Sequence, residues 1–470
     1  MTGAAVAAAR ILDWTSLVAG TGGQALGSPA PAASFSGVSI DSRTLSAGQV
    51  FFAIQGPRFD GHEFLHDVRA RGAAAAVVHR EAPSPEGLPL VRVSDTTRAL
   101  ADLARHARRS ASLPVVALTG SAGKTPPKEM TAALLGAPDS VLKTEGNLNN
   151  QYGVPLTLLR LDPAHAFVVL ELGMSAPGEL RTLSGIAEPD VAVITNVGPA
   201  HLEFFTSVDA IAAAKAEVLE SLRPGGLAVL NGDDARLRRV GEGLRQRVVW
   251  FGRDRRHDVA ADNWRGTPTG MSFDLWLEGR KLDVALPLTG PHFVMDFLAA
   301  AAAARALGVS GEAIASRAPS LRAVRHRGDV VRLGQELTLI DDCYNSSPDA
   351  LDAALAALSL ARPRRRVAIL GDMLELGPRG LELHRAAGER AAVCSDLLVA
   401  VGPLAPAFLE GARRAGMADR ALVHFPDARA ALAGALLLEP GDAVLVKGSR
   451  GMHLESVVEA IVGRFGSAQG

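Results

Sequence analysis

The sequence contains few cysteines and no long hydrophobic run. Cys343 and Cys394 are its two cysteines, which is too few for a disulfide framework and typical of a reducing compartment. No apolar run reaches the length of a membrane-spanning helix. Residues 4–18 include Arg10 and Asp13 and lack a basic start, so we predict no signal peptide and expect a cytoplasmic protein.

The sequence also lacks an excess of charge of either sign. Its formal net charge is −1, which gives no indication of a broad nucleic-acid or membrane surface. A hydrophobic fraction of 48% with 21% charged residues is typical of a globular protein. A chain of 470 residues is too long for a single core, so we expect two or three domains.

Lysine is scarce among the basic residues. The 49 basic residues include six lysines: Lys124, Lys128, Lys143, Lys215, Lys281 and Lys447. Because arginine is the usual cation of this chain, a lysine can mark chemistry that arginine cannot perform. Alternatively, any one of these lysines could occupy its position by chance.

A strand-like run followed by a glycine-rich turn is typical of a phosphate-binding loop. The apolar residues 115–118 precede Thr119-Gly120-Ser121-Ala122-Gly123-Lys124-Thr125, and a helix-like segment follows. In such a loop the backbone N–H groups surround a phosphate, and the helix N-terminus adds a positive dipole. Lys124 would reach the β- and γ-phosphates, and the Thr125 hydroxyl would bind Mg²⁺. Leu118 stands where the usual pattern begins with glycine, so an ordinary glycine-rich β–α turn is the alternative.

Strands alternate with helical segments through much of the chain, which predicts an α/β fold with parallel sheets. In the central region Glu171 ends one buried-looking strand, and His201 lies shortly after another. The ligand crevice of a parallel sheet lies at the carboxyl ends of its strands. Glu171 and His201 beside Thr125 can therefore complete Mg²⁺ sites, with water and phosphate oxygens as further ligands.

In the first region a polar tripeptide, Asp41-Ser42-Arg43, directly follows the predicted strand 38–40. It places a hydroxyl and a planar cation at the end of a strand, where a polar ligand could be held. A solvated turn with a local ion pair explains the same residues equally well.

Residues 207–222 are predicted to form a helix with Ser207 as its N-cap. Lys215 interrupts a small, apolar stretch of this helix. A lone helical lysine usually keeps its ammonium group in water, and the residues alone favour that interpretation.

The last region repeats the pattern of a strand followed by a polar turn. The predicted strand 337–342 ends in Asp341 and Asp342 and leads into Cys343-Tyr344-Asn345. Similar apolar runs recur at 366–370, 397–401 and 443–446, which predicts a second, doubly wound α/β unit. A glycine-rich dinucleotide fingerprint is missing, so NAD is not indicated.

Ordered motifs along nearly the whole chain resemble those of the Mur ligases of peptidoglycan synthesis. The motifs are Gly37-Val38-Ser39-Ile40-Asp41-Ser42-Arg43, the loop 119–125, Gly146-Asn147-Leu148-Asn149-Asn150, Glu171-Leu172-Gly173-Met174-Ser175, Thr195-Asn196-Val197-Gly198-Pro199-Ala200-His201-Leu202-Glu203, Asp341-Asp342-Cys343-Tyr344-Asn345, Leu370-Gly371-Asp372-Met373-Leu374-Glu375-Leu376-Gly377 and Lys447-Gly448-Ser449-Arg450-Gly451-Met452. Several motifs in order are far more specific than any one of them.

The resemblance implies an α/β protein with three domains and the behaviour of a monomer. The implied domains are a UDP-substrate-binding domain over 1–110, a central ATP-binding domain with a P-loop-type parallel sheet over 111–325, and a Rossmann-like C-terminal domain over 326–470.

The resemblance also implies ATP-dependent addition of D-alanyl-D-alanine to UDP-N-acetylmuramoyl-tripeptide, with ATP and Mg²⁺ as cofactors. The tripeptide carboxylate would take the γ-phosphoryl group to become an acyl phosphate, and the dipeptide amine would attack it. Neither a nucleic-acid partner nor membrane insertion is implied.

Individual roles follow from the same resemblance. Lys124, Lys215 and His201 would be catalytic, and Lys215 would be carbamylated to act as an extra carboxylate near a metal ion. That implication reverses the solvated interpretation of Lys215. The implied ATP-binding residues are Gly120, Ser121, Gly123, Lys124, Thr125, Arg327, Asp342 and Asn345. The residues implied to bind the UDP substrate are Ser42, Arg43 and Asn147. The implied metal-binding residues are Thr125, Glu171, His201 and Lys215 as its carbamate.

The chain departs from the family pattern around the nucleotide. Ala122 and Pro126-Pro127 replace an asparagine and two threonines of the loop, and Phe293 and Asp296 replace two asparagines of the adenine-side motif. Proline is allowed in the first turn of a helix, so we expect the fold to survive. The alternatives are a Mur-like protein that binds a UDP-sugar peptide or a nucleotide but turns over poorly, and a ligase for a different amino acid or dipeptide.

Overall fold

A computed structural model describes residues 12–26, 34–81, 85–200, 202–267, 270–361 and 363–466. Most of the N-terminal segment examined for a signal peptide lies outside these residues, and so does His201. Among the described residues, no helix combines the length and the apolar composition needed to cross a membrane.

The first part of the chain forms a five-stranded sheet with three helices. These are α1 (Trp14–Thr21), β1 (Gln24–Leu26), β2 (Gly37–Ser39), β3 (Gln49–Phe52), α2 (Leu65–Ala70), β4 (Ala75–Val78), β5 (Leu90–Arg92) and α3 (Thr96–Ser110). The strand order is β1-β5-β4-β3-β2, and every neighbouring pair is parallel except β1 and β5. Asp95 caps α3 by accepting from the N–H groups of Thr97 and Arg98. This helix buries Leu100 and Leu103 at helical spacing.

The central part of the chain forms a nine-stranded sheet with seven helices. These are β6 (Val115–Thr119), α4 (Thr125–Leu135), β7 (Val141–Lys143), α5 (Gly153–Leu158), β8 (Phe167–Glu171), α6 (Glu179–Ala187), β9 (Val191–Ile194), α7 (Val208–Ala216), β10 (Leu227–Asn231), α8 (Ala235–Glu242), β11 (Arg247–Gly252), β12 (Val259–Thr267), β13 (Gly270–Leu277), β14 (Arg280–Leu286), α9 (Pro291–Ala306) and α10 (Gly311–Arg317). The strand order is β14-β13-β12-β11-β10-β9-β6-β8-β7.

This central sheet is mixed, whereas the sequence predicted a parallel one. The strands β6, β8 and β7 are parallel and buried, which explains their continuous apolar runs. The strands β12, β13 and β14 pair antiparallel, and β13 alternates between buried and half-buried residues. The predicted α/β class is confirmed, and the antiparallel edge is an addition that the sequence did not predict.

The last part of the chain forms a six-stranded sheet covered on both faces. Its elements are β15 (Asp329–Arg332), β16 (Thr338–Asp342), α11 (Pro348–Leu360), β17 (Arg365–Gly371), α12 (Gly380–Cys394), β18 (Leu397–Val401), α13 (Pro406–Arg414), β19 (Leu422–Phe425), α14 (Ala428–Ala431), β20 (Asp442–Lys447) and α15 (Glu455–Phe465). The strand order is β15-β16-β20-β17-β18-β19, and every neighbouring pair is parallel except β15 and β16. One apolar cluster packs α15 on one face, and another packs α11, α12 and α13 on the other. The doubly wound, Rossmann-like arrangement is confirmed.

The chain divides into two compact units. The first contains residues 1–119, 135–193 and 216–228, and the second contains residues 120–134, 194–215 and 229–470. The five-stranded sheet belongs to the first unit, and the six-stranded sheet belongs to the second.

Candidate functional site

The glycine-rich loop occupies the turn between β6 and α4, as the sequence predicted. A Cβ atom on Gly120 would lie 2.1 Å from the Thr195 hydroxyl oxygen, so this position has room only for glycine. Gly123 has φ of +62°, in the left-handed region that favours glycine. Both glycines are therefore required by the path of the loop.

Asn196, which follows β9, holds this loop in place. Its Oδ1 accepts from the N–H groups of Ser121 and Ala122, each at 3.0 Å, and its Nδ2 donates to the Ala122 carbonyl at 2.9 Å. The amide thus fixes the backbone of Ser121 and Ala122 within the loop. Sequence reasoning included Asn196 in a motif but gave it no role in the site.

The Ser121 hydroxyl is engaged within the protein. It donates to the Gly198 carbonyl at 3.1 Å and accepts from the Gly198 N–H at 3.0 Å. The side chain of Ser121 therefore joins the phosphate loop to the segment after β9. Direct contact between this residue and a nucleotide stays a prediction.

Lys124 and Thr125 lie where the loop meets α4. The Lys124 Nζ donates to the Gly120 carbonyl at 3.1 Å, so the side chain folds back over the loop. Thr125 is buried and is the first residue of α4. Pro126 and Pro127 fall in the first turn, and the helix continues to Leu135. The expectation that the fold tolerates the proline pair is confirmed.

Lys215 is buried, with 2% of its surface exposed. Burial lowers the pKa of its amine well below the usual value, and the charge of Lys124 lowers it further. The solvated interpretation was wrong, because α7 turns this side chain inward. By comparison, Lys281 on β14 is half-exposed and ion-paired with Asp274. A neutral amine beside the cation of the phosphate loop is the form that can take up carbon dioxide.

Asp296, on α9, also lies at the phosphate loop. A Cβ atom on Gly123 would lie 3.9 Å from both carboxylate oxygens of Asp296. Burial raises the pKa of Asp296 well above its usual value. Burial therefore favours the protonated carboxylic acid, which is close in shape to the amide of the family pattern. The helix α9 begins at Pro291, so Asp296 lies in its second turn.

We expect Asp296→Asn to make the protein more stable at neutral pH. The Asp296 carboxyl ionises above a pH of about 3.9 in the unfolded chain but stays protonated to a higher pH in the folded protein. The free energy of unfolding therefore falls as the pH rises between the two pKa values. The asparagine removes this loss, whose slope is at most about 1.4 kcal/mol per pH unit. Urea unfolding from pH 4 to 8 measures the difference.

Asp274→Asn is the matched control for this prediction. Lys281 and Asn263 lower the pKa of the half-buried Asp274 by hydrogen bonding. The Asp274 carboxylate contributes stability above the pKa of the unfolded state, and this contribution is lost as the pH falls through the pKa of the folded state. The two variants should therefore differ from the native protein in opposite directions at pH 7. If the free energy of unfolding of Asp296→Asn differed from that of the native protein by the same amount at every pH, the carboxyl group of Asp296 would not be buried in its protonated form.

The predicted nucleotide residues of the last region lie together at the end of β16. Lys447 Nζ donates to Asp342 Oδ2 at 2.6 Å and to the Asn345 carbonyl at 2.9 Å. Burial raises the pKa of Asp342, while Lys447 opposes that shift. The Arg327 guanidinium lies 3.9 Å from the centre of the Tyr344 ring. Sequence reasoning placed Lys447 in a motif and missed that it joins Asp342 to Asn345.

The histidine next to these residues is neutral. Burial and the charge of Lys447 lower the pKa of His292 to about 4. Its Nδ1 is buried and has no hydrogen-bond partner in the described part of the chain. The neighbouring Phe293 is buried and packs against Gly328, where a Cβ atom would lie 2.9 Å from the ring. An apolar ring thus fills the place of an amide.

Glu171, another predicted metal ligand, belongs to the first unit. In the first unit, Glu171 is buried at the end of β8 and accepts from Asn149 Nδ2 at 2.9 Å. The Glu171 N–H donates to the Thr144 hydroxyl at 3.0 Å. Asn147 is exposed in the same loop, and its carbonyl accepts from the Asn149 N–H. The His201 prediction lies outside the described residues.

Ser42 and Arg43 follow β2 in the first unit. Arg43 is exposed, and its NH2 group lies 2.7 Å from Asp41 Oδ2. Hydrogen bonds from Arg43 lower the pKa of Asp41 to about 2. The local ion pair considered as an alternative is therefore present, and the substrate-binding role of Ser42 and Arg43 stays a prediction.

A strand, a glycine-rich loop and a helix, with lysines at the loop, define an α/β protein of the nucleotide-binding class. Three family descriptions match the sequence: "Mur ligase family, catalytic domain" over residues 34–108, "Mur ligase middle domain" over 118–304 and "Mur ligase, glutamate ligase domain" over 326–450. The chain belongs to the Mur ligase family.

Curated relatives cover most of this chain. The UDP-N-acetylmuramoyl-tripeptide–D-alanyl-D-alanine ligase of Escherichia coli is 37% identical and aligns over 90% of this chain and 93% of its own. The ligase of the same name from Bacillus subtilis is 34% identical over 91% of this chain and 93% of its own.

Solved structures of the same family superpose on the chain. MurF from Acinetobacter baumannii has a TM-score of 0.88 and 33% identity, covering 96% of this chain and 99% of its own. MurF ligase from Thermotoga maritima, solved in complex with ADP, has a TM-score of 0.81 and 31% identity, covering 90% and 96%.

Proposed function

We propose that this protein is an ATP-dependent ligase that adds D-alanyl-D-alanine to UDP-N-acetylmuramoyl-tripeptide in peptidoglycan precursor synthesis. The observation that carries the proposal is the buried Lys215, whose amine pKa is lowered beside Lys124 of the phosphate loop. Relatives that bear this activity in their names align over about nine-tenths of the chain.

The reaction joins two anionic substrates and therefore needs positive charge. A carboxylate oxygen of the tripeptide attacks the γ-phosphorus of ATP, and ADP leaves with the electrons of the broken P–O bond. The dipeptide amine then attacks the acyl carbon, inorganic phosphate leaves and the nitrogen loses a proton. Lys124 supplies fixed positive charge where charge develops on the transferred phosphoryl group. Asn196 and the two loop glycines hold the backbone in the shape that this task requires.

The residues present fit a magnesium ion, which would neutralise phosphate charge. The fit rests on chemistry: Thr125 offers a hydroxyl oxygen, Mg²⁺ prefers oxygen ligands, and Glu171 is included by resemblance to the family. Lys215 adds a carboxylate when its neutral amine takes up carbon dioxide and releases one proton. The negative carbamate is then attracted by the positive charge of Lys124, which lowers the pKa of the unmodified amine. His201 is included in this set by resemblance to the family.

The remaining residues bind and position substrates. Ser42, Arg43 and Asn147 serve the UDP substrate, and Arg327, Asp342 and Asn345 serve ATP. We assign residues 1–110, 111–325 and 326–470 to the UDP-binding, ATP-binding and C-terminal domains. We further propose a cytoplasmic monomer, since ATP and a UDP-linked substrate are both available in that compartment.

The buried Phe293 and the neutral Asp296 favour a second candidate, a Mur-like protein that binds its ligands but turns over poorly. Phosphate release from ATP with UDP-linked tripeptide, measured with and without D-alanyl-D-alanine, separates the two. An active ligase releases phosphate in proportion to amide formed. Nucleotide binding without dipeptide-dependent release would support the second candidate and contradict the first.

We expect Arg43→Ala to raise the KM for the UDP substrate about 10- to 100-fold, because hydrogen bonds to charged groups contribute about 1.5–3 kcal/mol. The KM for ATP and kcat should change little, since remote groups bind without touching the reacting atoms. The control is Arg98→Ala, which removes an exposed arginine of α3 that pairs with Asp102 at 3.6 Å. An equal or larger change in the KM for ATP would show that the first domain is misassigned.

A further inference from the structure

A mixed cluster of metal-binding side chains lies on the six-stranded sheet. Within the described part of the chain, His326, Asp341 and Cys343 form a group whose candidate ligand atoms all lie within 4.8 Å of one another. His326 Nδ1 lies 2.7 Å from Asp341 Oδ2 and 3.5 Å from Cys343 Sγ. The backbone of His326 is left-handed, with φ of +64°, and its carbonyl accepts from the Tyr344 N–H.

A second observation points to a ligand at this cluster. Asp341 is 4% exposed, and its Oδ1 is buried without a hydrogen-bond partner among the described residues. Glu455, at the start of α15, also has a buried carboxylate oxygen with no partner among them. Its charge is close enough to act on Cys343. Buried carboxylate oxygens are costly unless a donor or a cation satisfies them.

We propose that His326, Asp341 and Cys343 form a zinc-binding site. One thiolate, one imidazole and one carboxylate are a ligand set that Zn²⁺ accepts and Mg²⁺ does not favour. Binding forms a Zn–S bond and releases the thiol proton to solvent. A water molecule supplies the fourth ligand, and the partly exposed His326 side is the entry path.

Two of the three distances between ligand atoms can be compared with those of a tetrahedral site, and the third is within 4.8 Å. Zinc–ligand lengths of about 2.3 Å to sulfur and about 2.0–2.1 Å to nitrogen or oxygen place S and N roughly 3.6 Å apart, and N and O roughly 3.3 Å apart. The observed Sγ–Nδ1 distance of 3.5 Å already matches. The hydrogen-bonded Nδ1–Oδ2 pair must separate by about 0.6 Å, unless the unpartnered Oδ1 becomes the ligand.

This site is separate from the predicted nucleotide residues. Cys343 packs with Leu339 and Leu454 in the apolar cluster of α15, whereas Ile340 belongs to the cluster on the other face of the sheet. Because side chains alternate along β16, Asp341 shares the face of Leu339, and Asp342 shares the face of Ile340. Zinc would thus fix the backbone beside Arg327 and Tyr344 without touching the nucleotide.

The test uses the full chain after EDTA treatment, with excess Mg²⁺ to occupy sites that have oxygen ligands. Calorimetric titration with Zn²⁺ alone should show one site per chain. Titration with Co²⁺ should produce a thiolate-to-cobalt charge-transfer band, which a site of oxygen ligands cannot give. Cys343→Ser should abolish the band and weaken zinc binding at least about 100-fold, since even residues outside the ligand shell change affinity about 10- to 100-fold.

Two further variants complete the test. Cys394→Ser removes the second free cysteine, which lies on α12, and should leave the band and zinc affinity unchanged. His326→Asn keeps a residue that tolerates positive φ and should also weaken zinc binding. Zinc should raise the thermal midpoint of the native protein but not that of Cys343→Ser. Absence of the cobalt band in the native protein, its loss in Cys394→Ser, or full zinc affinity in Cys343→Ser would overturn the proposal.

Discussion

Replacing Lys124 with alanine should slow tripeptide- and Mg²⁺-dependent phosphate release about 100- to 1000-fold, the usual cost of losing one preorganised electrostatic contact. The Lys124 Nζ lies 3.1 Å from the Gly120 carbonyl and is held over the phosphate loop. In the native protein the charge of Lys124 acts on the transferred phosphoryl group. Its removal should therefore lower kcat more than it lowers the affinity for ATP. A steady-state phosphate assay with ATP and tripeptide varied separately measures both.

Lys281→Ala is the matched control for Lys124→Ala. Lys281 is one of the six lysines, is half-exposed and pairs with Asp274 at 2.8 Å. Its removal should leave the rate unchanged. A Lys124→Ala protein that retained most of the native rate would remove the glycine-rich loop from the mechanism.

Lys215→Ala should be nearly inactive yet folded. The buried amine has a lowered pKa, so it is available to form a carbamate, and alanine removes the resulting negative group. We expect a loss of at least about 100-fold in kcat. Short-chain carboxylic acids should restore part of the activity, because they can occupy the vacated space and supply the missing charge. Circular dichroism and the phosphate assay, with and without added acid, test this.

One variant and one treatment distinguish a carbamylated Lys215 from a buried lysine with a structural role. Lys215→Arg should not restore activity, because a guanidinium stays charged and forms no such adduct. Removal of bicarbonate should slow the native protein, and more so at lower pH, because the amine becomes protonated as the pH falls through its folded pKa. Full activity of Lys215→Ala or Lys215→Arg would rule out the carbamate role.

The contacts that the sequence missed join residues far apart in the chain. Asn196 holds Ser121 and Ala122, about 75 positions earlier, and Lys447 reaches Asp342, more than 100 positions earlier. Neither contact has a local pattern, because each depends on which strands become neighbours in a sheet. The antiparallel edge from β12 to β14 was missed for a related reason: buried and half-buried residues alternate along β13, whereas continuous apolar runs were the signal for strands.

By itself the sequence determined the features that depend on short segments. The loop between β6 and α4 was predictable because a buried strand, two required glycines and a helix start lie within about twenty residues. The doubly wound last region was predictable because strands buried on both faces are continuous apolar runs. Tertiary structure alone decided the protonation of Lys215 and Asp296 and the assembly of His326 with Asp341 and Cys343. Desolvation and ligand geometry depend on what surrounds a side chain in space, and neighbours in sequence do not specify that.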